Sequence, residues 1–289
     1  MPHVTSQDGA KIAFEKTGDG PAVILVGGAL SHRDFHGDRP LAAKLAADFT
    51  VYVYDRRGRG QSTDAPSYAV EREIEDLDAL VSAAGGSARL CGTSSGAALA
   101  LRTAARLGAA KVSMLALYEP PYGPEKQKQD FADQRRRVAD LIRTGPPGEA
   151  VAYFLSAIGM PPEALEGMKR SSDWDAMKRL EPTLAYDYAV LGDGVVPRDL
   201  ARTVAVPVLV LDGQKSMDFM HGTADLLAAQ LAHSERRTLP GQTHQVDPGA
   251  LAPVLAAFFK QGQRLPPPAQ PRPGREEMSS NPAGRADAP

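Results

Sequence analysis

Ser94 is the residue of this chain with the clearest potential for nucleophilic chemistry. It lies in the pattern Gly92-x-Ser94-x-Gly96, between a short apolar run and a stretch of small residues. A serine in that pattern occupies a tight turn from a strand into a helix, with its hydroxyl exposed at the end of the sheet. The free N–H groups and positive dipole end of the helix favour negative charge there. The pattern predicts a nucleophile, but a glycine-rich turn with two serines also matches five positions by chance.

A serine nucleophile needs a base within hydrogen-bond reach and a third group that orients the base. Among the six histidines, His244 is favoured by position, because it lies in a loop between the last predicted strand and the final helix. In a doubly wound sheet, that loop returns to the carboxyl edge where Ser94 is expected. The remaining histidines lie at the terminus, after the first buried strand or beside a late helix, and they are His3, His32, His36, His221 and His233.

The elements that position these residues alternate between strands and helices. A hairpin over 3–17 is followed by predicted strands at 22–26, 50–54, 112–118, 207–211 and 237–239, and a short apolar strand that starts at Leu90 leads into the turn of Ser94. Predicted helices between and after these strands include 40–48, 70–84, 223–232 and 249–260. Unbroken apolar strands indicate burial on both faces. The order therefore predicts an α/β fold, with a doubly wound, mostly parallel sheet flanked by helices.

Composition divides the chain into three parts. Residues 1–122 and 201–260 form the predicted core. Residues 123–200 show only helical patterns, including one helix over 173–191, and they predict a cap inserted over the carboxyl end of the sheet. Residues 261–289 hold seven prolines and few large apolar side chains. We expect this tail to be disordered, because it cannot bury a core.

Charge and cysteine content exclude several classes of protein. A formal net charge of -2 gives no sign of a nucleic-acid interface, which would need a clustered basic face. The single cysteine, Cys91, allows no disulfide within the chain, which fits a reducing compartment. The start of the sequence lacks the pattern of a signal peptide, and no apolar run approaches the roughly 20 residues that span a bilayer. We therefore expect a cytoplasmic protein with no nucleic-acid or membrane partner.

Four segments in the correct order resemble the α/β-hydrolase superfamily over about residues 3–260. They are the Gly27-Gly28 loop, the Asp55-x-Arg57-Gly58-x-Gly60-x-Ser62 turn, the Gly92-x-Ser94-x-Gly96 elbow and the Pro240-Gly241-x-x-His244 loop. The resemblance implies Ser94 as nucleophile and His244 as general base. It also implies an oxyanion hole formed by the backbone N–H groups of Ser95 and Ala29. Together the segments are specific for the fold and poorly specific for the substrate.

The triad acid is where this chain departs from the pattern of the family. Family members usually carry it about three residues past a glycine that follows the strand at 207–211, and that position here is Ser216. Asp212 and Asp218 lie close to it in sequence. Some members instead place the acid after the preceding strand, where this chain has Glu119. We predict Glu119 as the triad acid, with Asp218 as the alternative.

Two groups of side chains allow either a functional or a structural interpretation. Arg56, Arg57 and Arg59 could bind a substrate carboxylate, but the resemblance favours a structural turn. Apolar residues of the cap could line a pocket, although helix packing gives the same spacing, and they are Phe154, Leu155, Met160, Met168, Trp174 and Met177. We favour the structural interpretation for both groups.

These inferences predict a serine hydrolase that cleaves an ester or related acyl bond of a small, partly apolar molecule through an acyl-enzyme. No cofactor or metal is implied, and the expected partner is the small-molecule substrate. Serine at position 94 argues against the aspartate nucleophile of dehalogenase and epoxide-hydrolase relatives. Two alternatives stay open, a non-hydrolytic cyclase or lyase on the same fold and a binding protein that has lost turnover. The sequence leaves the substrate and oligomeric state undetermined.

Overall fold

A computed structural model of the chain describes residues 2–36 and 38–261. Its strands are β1 (His3–Thr5), β2 (Lys11–Thr17), β3 (Ala22–Val26), β4 (Thr50–Tyr54), β5 (Ala88–Thr93), β6 (Val112–Tyr118), β7 (Val208–Gly213) and β8 (Ser234–Leu239). They form one eight-stranded sheet in the order β1-β2-β4-β3-β5-β6-β7-β8. The first two pairs, β1 with β2 and β2 with β4, are antiparallel. All the following pairs, from β4 with β3 to β7 with β8, are parallel. This architecture confirms the predicted fold class.

Helices cover both faces of the sheet and fill the segment between β6 and β7. They are α1 (Arg39–Leu45), α2 (Val70–Ala83), α3 (Ser95–Leu107), α4 (Lys128–Thr144), α5 (Glu149–Ala157), α6 (Pro162–Lys169), α7 (Trp174–Leu180), α8 (Leu184–Leu191), α9 (Arg198–Arg202), α10 (Asp218–Ala228) and α11 (Pro248–Gln261). The predicted disordered tail lies outside the described residues, apart from Gln261 at the end of α11. No helix within the described ranges is long and apolar enough to cross a membrane.

Alternate residues of the central strands enter two separate apolar cores. Ile24 and Val26 of β3 join the core beneath α2, α3 and α10, whereas Val23 and Leu25 join the core beneath α1 and α11. All five residues of β3 are buried. This is the reason that the strand is apolar at every position, as expected for a parallel sheet covered on both faces. The resulting rigid sheet fixes where each strand ends.

A third apolar core lies within the predicted cap, among α4, α5, α6, α7 and α8. The apolar residues that the sequence singled out belong to it: Leu155 and Met177 are buried, and Phe154, Met160, Met168 and Trp174 pack against it while partly buried. Their principal role is helix packing. Leu30, from the loop after β3, is also buried in this core. The cap therefore packs directly on the loop that precedes α1.

Four predicted element boundaries were wrong, and the first is the end of the helix expected over 40–48, because α1 ends at Leu45. The helix expected over 223–232 is α10, which starts at Asp218, where an acidic side chain in the first turn favours the helix dipole. The helix expected over 173–191 is interrupted by a 3-10 turn at Glu181–Thr183, because Pro182 has no N–H to donate. The strand expected over 237–239 is β8, which starts at Ser234 and carries charged residues at the sheet edge.

Candidate active site

Ser94 occupies the turn between β5 and α3 in a strained backbone conformation, with φ 56° and ψ -128°. The two flanking glycines make this turn possible. A Cβ atom built on Gly92 would lie 2.4 Å from the Gly96 carbonyl oxygen, and one built on Gly96 would lie 2.1 Å from the Val26 carbonyl oxygen. Neither position has room for a side chain. The two glycines of the Gly-x-Ser-x-Gly pattern therefore have a steric cause in the structure.

The loop after β3 lies directly against this turn, because β3 and β5 are neighbours in the sheet. A Cβ atom built on Gly28 would lie 3.0 Å from Ser94 Cβ and 3.6 Å from Ser94 Oγ. Gly28 and Ser94 are each followed by one of the predicted oxyanion-hole residues, Ala29 and Ser95. The two residues that carry the predicted donors therefore directly follow two residues that lie close to each other.

Glu119 and His244 form a hydrogen bond, with 2.7 Å between Glu119 Oε2 and His244 Nδ1. The other carboxylate oxygen of Glu119 accepts a bond from the backbone N–H of Gly213 at 2.6 Å. Glu119 is almost fully buried and has a φ of 47°, which is uncommon for a residue with a side chain. The local backbone is therefore bent so that this carboxylate faces the histidine loop.

Strand register places Ser94 and Glu119 at the same edge of the sheet. Thr93 pairs with Tyr118 at the ends of β5 and β6, so the next residue of each strand leaves the sheet at the same level. The Tyr118 carbonyl accepts the Ser94 N–H at 2.9 Å, and the Tyr118 hydroxyl donates to the carbonyl of Thr243. Tyr118 thus connects the backbone of the serine to the loop that carries His244.

The ionisation state of Glu119 determines the tautomer of the histidine. Burial alone would raise the pKa of Glu119, but hydrogen bonds from His244 and from the Gly213 N–H hold it below the ordinary value of 4.5. An ionised carboxylate only accepts hydrogen bonds. His244 Nδ1 therefore donates, and Nε2 keeps a lone pair with which to accept a proton. This is the tautomer that a general base requires.

The other carboxylates near the end of β7 are placed differently. Asp212 accepts two bonds of 2.7 Å from Arg236 and also contacts His221 Nδ1. Asp218 begins α10. Ser216, at the position where many family members carry the acid, has a buried hydroxyl that makes no hydrogen bond within the described residues. Among the candidate acids, the carboxylate that contacts His244 is Glu119.

All three arginines of the turn after β4 are buried and paired with carboxylates. Arg57 bonds Asp76 at 2.7 and 2.8 Å, and Arg56 bonds Glu73 through two contacts of 2.7 Å. This pairing agrees with the structural interpretation of the turn. A carboxylate from the cap completes the cluster, because Asp187 of α8 bonds Arg56 at 2.7 Å.

Sequence reasoning missed Asp187. It is a buried aspartate in the helix Leu184–Leu191, which is otherwise apolar or aromatic. A lone charged residue in such a helix is the signal that could have identified it, since a buried charge needs a partner. That partner is Arg56 of the turn after β4, and no pattern around Asp187 specifies it.

A cavity of about 310 Å³ opens between the turn after β4 and α7, and its polar lining includes His32, Asp34 and Arg179. Ser94, Glu119 and His244 do not belong to its lining. Within residues 2–36 and 38–261, no group of three or more His, Cys, Asp or Glu side chains is arranged to hold a metal ion.

A sequence model described as the alpha/beta hydrolase family matches residues 22–269. The chain belongs to the alpha/beta hydrolase family. This confirms the resemblance inferred from the four motifs. An alpha/beta hydrolase from Sphaerobacter thermophilus DSM 20745 shares 45% identity and a TM-score of 0.81, over 89% of this chain and 100% of that chain.

Two other proteins that are similar to this chain have more specific names. A thermophilic esterase from Thermogutta terrifontis has a TM-score of 0.70 at 22% identity, covering 90% of this chain and 98% of that chain, and it shows the fold alone. An N-formylmaleamate deformylase from Pseudomonas putida is 39% identical over 114 residues. That match covers 38% of this chain and 41% of the length of the deformylase. Membership in the alpha/beta hydrolase family supports hydrolase activity.

Proposed function

We propose that the protein is a serine hydrolase that cleaves an ester or related acyl bond of a small, partly apolar molecule. The observation that carries this proposal is the 2.7 Å hydrogen bond between Glu119 and His244. It occurs at the sheet edge where Ser94 leaves the neighbouring strand. A serine, a correctly oriented histidine and a buried carboxylate are the three groups that covalent acyl transfer needs.

In the proposed reaction, Ser94 Oγ attacks the substrate carbonyl carbon while His244 Nε2 takes the hydroxyl proton. Glu119 stabilises the imidazolium that forms. The backbone N–H groups of Ala29 and Ser95 bind the oxyanion of the tetrahedral intermediate. His244 then gives the proton to the leaving oxygen or nitrogen, and an acyl-enzyme remains on Ser94. Water, deprotonated by His244, hydrolyses that ester and releases the acid.

Backbone strain supports this assignment independently of the side chains. Four non-glycine residues in the described part of the chain have a positive φ, and three of them are Leu30, Ser94 and Glu119. Residues held in such conformations cost about 1–3 kcal/mol each and concentrate at functional sites. Here they supply the loop after β3, the nucleophile and the acid. Their coincidence favours an active constellation over a fold that merely retains three polar residues.

Apolar surface beside the oxyanion loop supports a partly apolar substrate. Leu30 is buried in the core of the cap, and Ala29 and Phe35 pack against the same core while partly buried. A substrate carbonyl bound at Ala29 would therefore have aliphatic and aromatic neighbours next to it. This is the observation behind the proposed preference for small acyl compounds with an apolar portion.

The scissile bond can be an ester or a related C–N acyl bond. The 39% identical relative is named as a deformylase, which specifically favours including amides of formic acid among the candidate substrates. The same nucleophile and base serve both bond types, and His244 donates the proton that an amine leaving group requires. A cyclase or lyase activity and loss of turnover remain the alternatives to be tested.

Hydrolysis of a series of p-nitrophenyl esters, from acetate to octanoate, together with a formylated amide, tests the proposal. The wild type should release product from at least one substrate, and Ser94→Ala should lose several orders of magnitude in kcat/KM. Ser113→Ala is a matched control, because Ser113 lies near the opposite end of β6 and bonds the Ala88 carbonyl. It should keep wild-type activity. Absence of turnover in the wild type, or full activity in Ser94→Ala, would reject the proposal.

A further inference from the structure

We propose that a buried Arg59–Asp187 pair positions both donors of the oxyanion hole, so that the cap helix α8 controls the geometry of the catalytic site. This inference rests on the proposed function, since it assigns a role in the oxyanion hole defined there. Asp187 acts through Arg59 and Ser95 and does not itself contact the substrate. It is therefore a positioning residue.

The first donor is fixed through the peptide between Gly28 and Ala29. Arg59 Nη1 donates to the Gly28 carbonyl oxygen at 2.6 Å, and the Ser31 hydroxyl donates to the same oxygen at 2.8 Å. Because a trans peptide is planar, fixing its C=O direction fixes its N–H in the opposite direction. That N–H belongs to Ala29. A cation on the carbonyl also polarises the peptide and strengthens the N–H as a donor.

The second donor is fixed through the side chain of Ser95. Its hydroxyl donates to Asp187 Oδ1 at 2.7 Å, and the residue is buried at the start of α3. The backbone N–H of Ser95 is the other proposed oxyanion donor. The carboxylate of Asp187 thus holds Ser95, which provides this donor. It also holds Arg59, which orients the peptide of the other donor, Ala29.

The carboxylate is ionised and shielded from water, which makes its geometry rigid. Arg59 Nη2 bonds both oxygens of Asp187 at 2.9 Å, and Arg56 adds a contact of 2.7 Å. The side chains of Arg59 and Asp187 expose 0% and 3% of their surface. Burial would raise the pKa of Asp187, but the two arginines hold it below its ordinary value. Charged, buried hydrogen bonds of this kind are short and directional.

The adjacent residue of α8 strengthens the attachment between cap and core. The rings of Tyr186 and Tyr68 stack with centroids 3.8 Å apart and planes 4° from parallel. The Tyr68 hydroxyl also donates to Glu73, the second carboxylate of Arg56. Displacement of α8 would therefore disturb the peptide of Ala29 and the side chain of Ser95 together.

The test compares Asp187→Asn with Asp76→Asn in the full-length protein. Both carboxylates are buried and each accepts two hydrogen bonds from one arginine, but Asp76 bonds Arg57, whose other contacts are Asp8 and the Arg72 carbonyl. The substitutions keep side-chain size and remove charge. Thermal unfolding measures the structural cost, and kcat, KM and the inhibition constant of a boronic acid measure the oxyanion hole.

We expect Asp187→Asn to lower kcat by about 10- to 100-fold, below the roughly 10²–10³ that follows complete removal of one oxyanion donor. KM should change by less than about threefold, and boronic acid binding should weaken in parallel with kcat/KM. Asp76→Asn should retain kcat within about twofold, even if its Tm falls by as much as the Tm of Asp187→Asn. Ser95→Ala removes only one hydroxyl from the network, and it should lower kcat by about three- to tenfold.

Different results would reject the inference. Equal loss of kcat in Asp187→Asn and Asp76→Asn, in proportion to their loss of Tm, would make the pair purely structural. If Asp187→Asn does not fold, Ser95→Ala decides, and wild-type kcat in that variant would contradict the inference. If the wild type hydrolyses a substrate but either of these two results is found, the inference fails and the proposed function stays intact. A wild type without any ester or amide hydrolysis would reject the proposed function and this inference with it.

Discussion

The carboxylate of Glu119 lies 2.7 Å from Nδ1 of His244, although 125 positions separate the two residues in sequence. Glu119 follows β6 and His244 follows β8, so the contact crosses the end of β7. The Gly213 N–H at the end of β7 donates to the same carboxylate. The three strand ends therefore hold the acid and the base in a fixed relation to each other.

Glu119→Gln tests the assignment of the acid. The substitution keeps size but removes the charge that stabilises the imidazolium, and a comparable change in another serine triad costs about 10⁴ in turnover. We expect kcat to fall by about 10²–10⁴. Asp212→Asn and Asp218→Asn should each cost less than about tenfold, because neither residue is the carboxylate bonded to His244. The measurement is kcat with p-nitrophenyl acetate, with folding checked by circular dichroism.

The reverse order of losses in kcat would contradict Glu119 as the acid. If Asp218→Asn proves crippling while folded Glu119→Gln remains active, the acid belongs after β7 and the proposed triad is wrong.

Gly96→Ala should damage both stability and activity. The added Cβ would lie 2.1 Å from the Val26 carbonyl oxygen and 2.5 Å from the Gly27 carbonyl oxygen, so the backbone of the oxyanion loop must move. We expect a loss of about 1–3 kcal/mol in unfolding free energy and at least tenfold in kcat. Gly222→Ala is the control, because a Cβ there meets nothing within 4 Å inside α10. It should stabilise by about 0.5–1 kcal/mol. Full activity in Gly96→Ala would contradict the close packing.

Asp38→Asn should stabilise the protein above pH 6. The Asp38 carboxyl lies against Gly27 although the residue as a whole is partly exposed, and burial raises its pKa to about 6 from 3.8. The folded state therefore holds the proton more tightly than the unfolded state, and wild-type stability decreases as pH rises from 3.8 to 6. Asparagine avoids this loss. The substitution should add about 1–3 kcal/mol at pH 8 and little at pH 3.5.

Chemical denaturation at both pH values measures this effect. Asp19→Asn is a suitable control at an exposed turn, where the change should stay within about 0.5 kcal/mol. A gain for Asp38→Asn that is the same at pH 3.5 and pH 8 would show that ionisation of this carboxyl is not its cause.

Parts of the site were predictable because their constraints are local or topological. The steric demand on Gly92 comes from Gly96 and Ala97, so the pattern around Ser94 contains it, whereas Gly96 is constrained by the carbonyl oxygen of Val26 on the neighbouring strand. Parallel strands bring their carboxyl ends to one edge, so the order of elements suffices to select His244. Glu119 followed from the resemblance to the family, because Ser216 stands where many members carry the acid and some members carry it after the preceding strand. Of these residues, the structure shows Glu119 in contact with His244, and the catalytic roles of all three stay predictions.

Other features were not predictable, because they depend on contacts between distant parts of the chain. Asp187 and Arg56 are 131 positions apart, and nothing in either local sequence specifies that the cap places one on the other. Polar residues such as Glu235 and Arg236 hid the start of β8, since an edge strand does not need to be apolar. In both cases tertiary pairing, rather than local pattern, determines the structure.

The central claim is that Ser94 is the residue that becomes acylated. Reaction of the native protein with a fluorophosphonate, followed by peptide mapping, tests it most directly. Denatured wild type and Ser94→Ala serve as controls, because labelling needs both the serine and its folded base. The account predicts one adduct, located on Ser94, and none in either control. An adduct on another residue, or persistent labelling of Ser94→Ala, would contradict it.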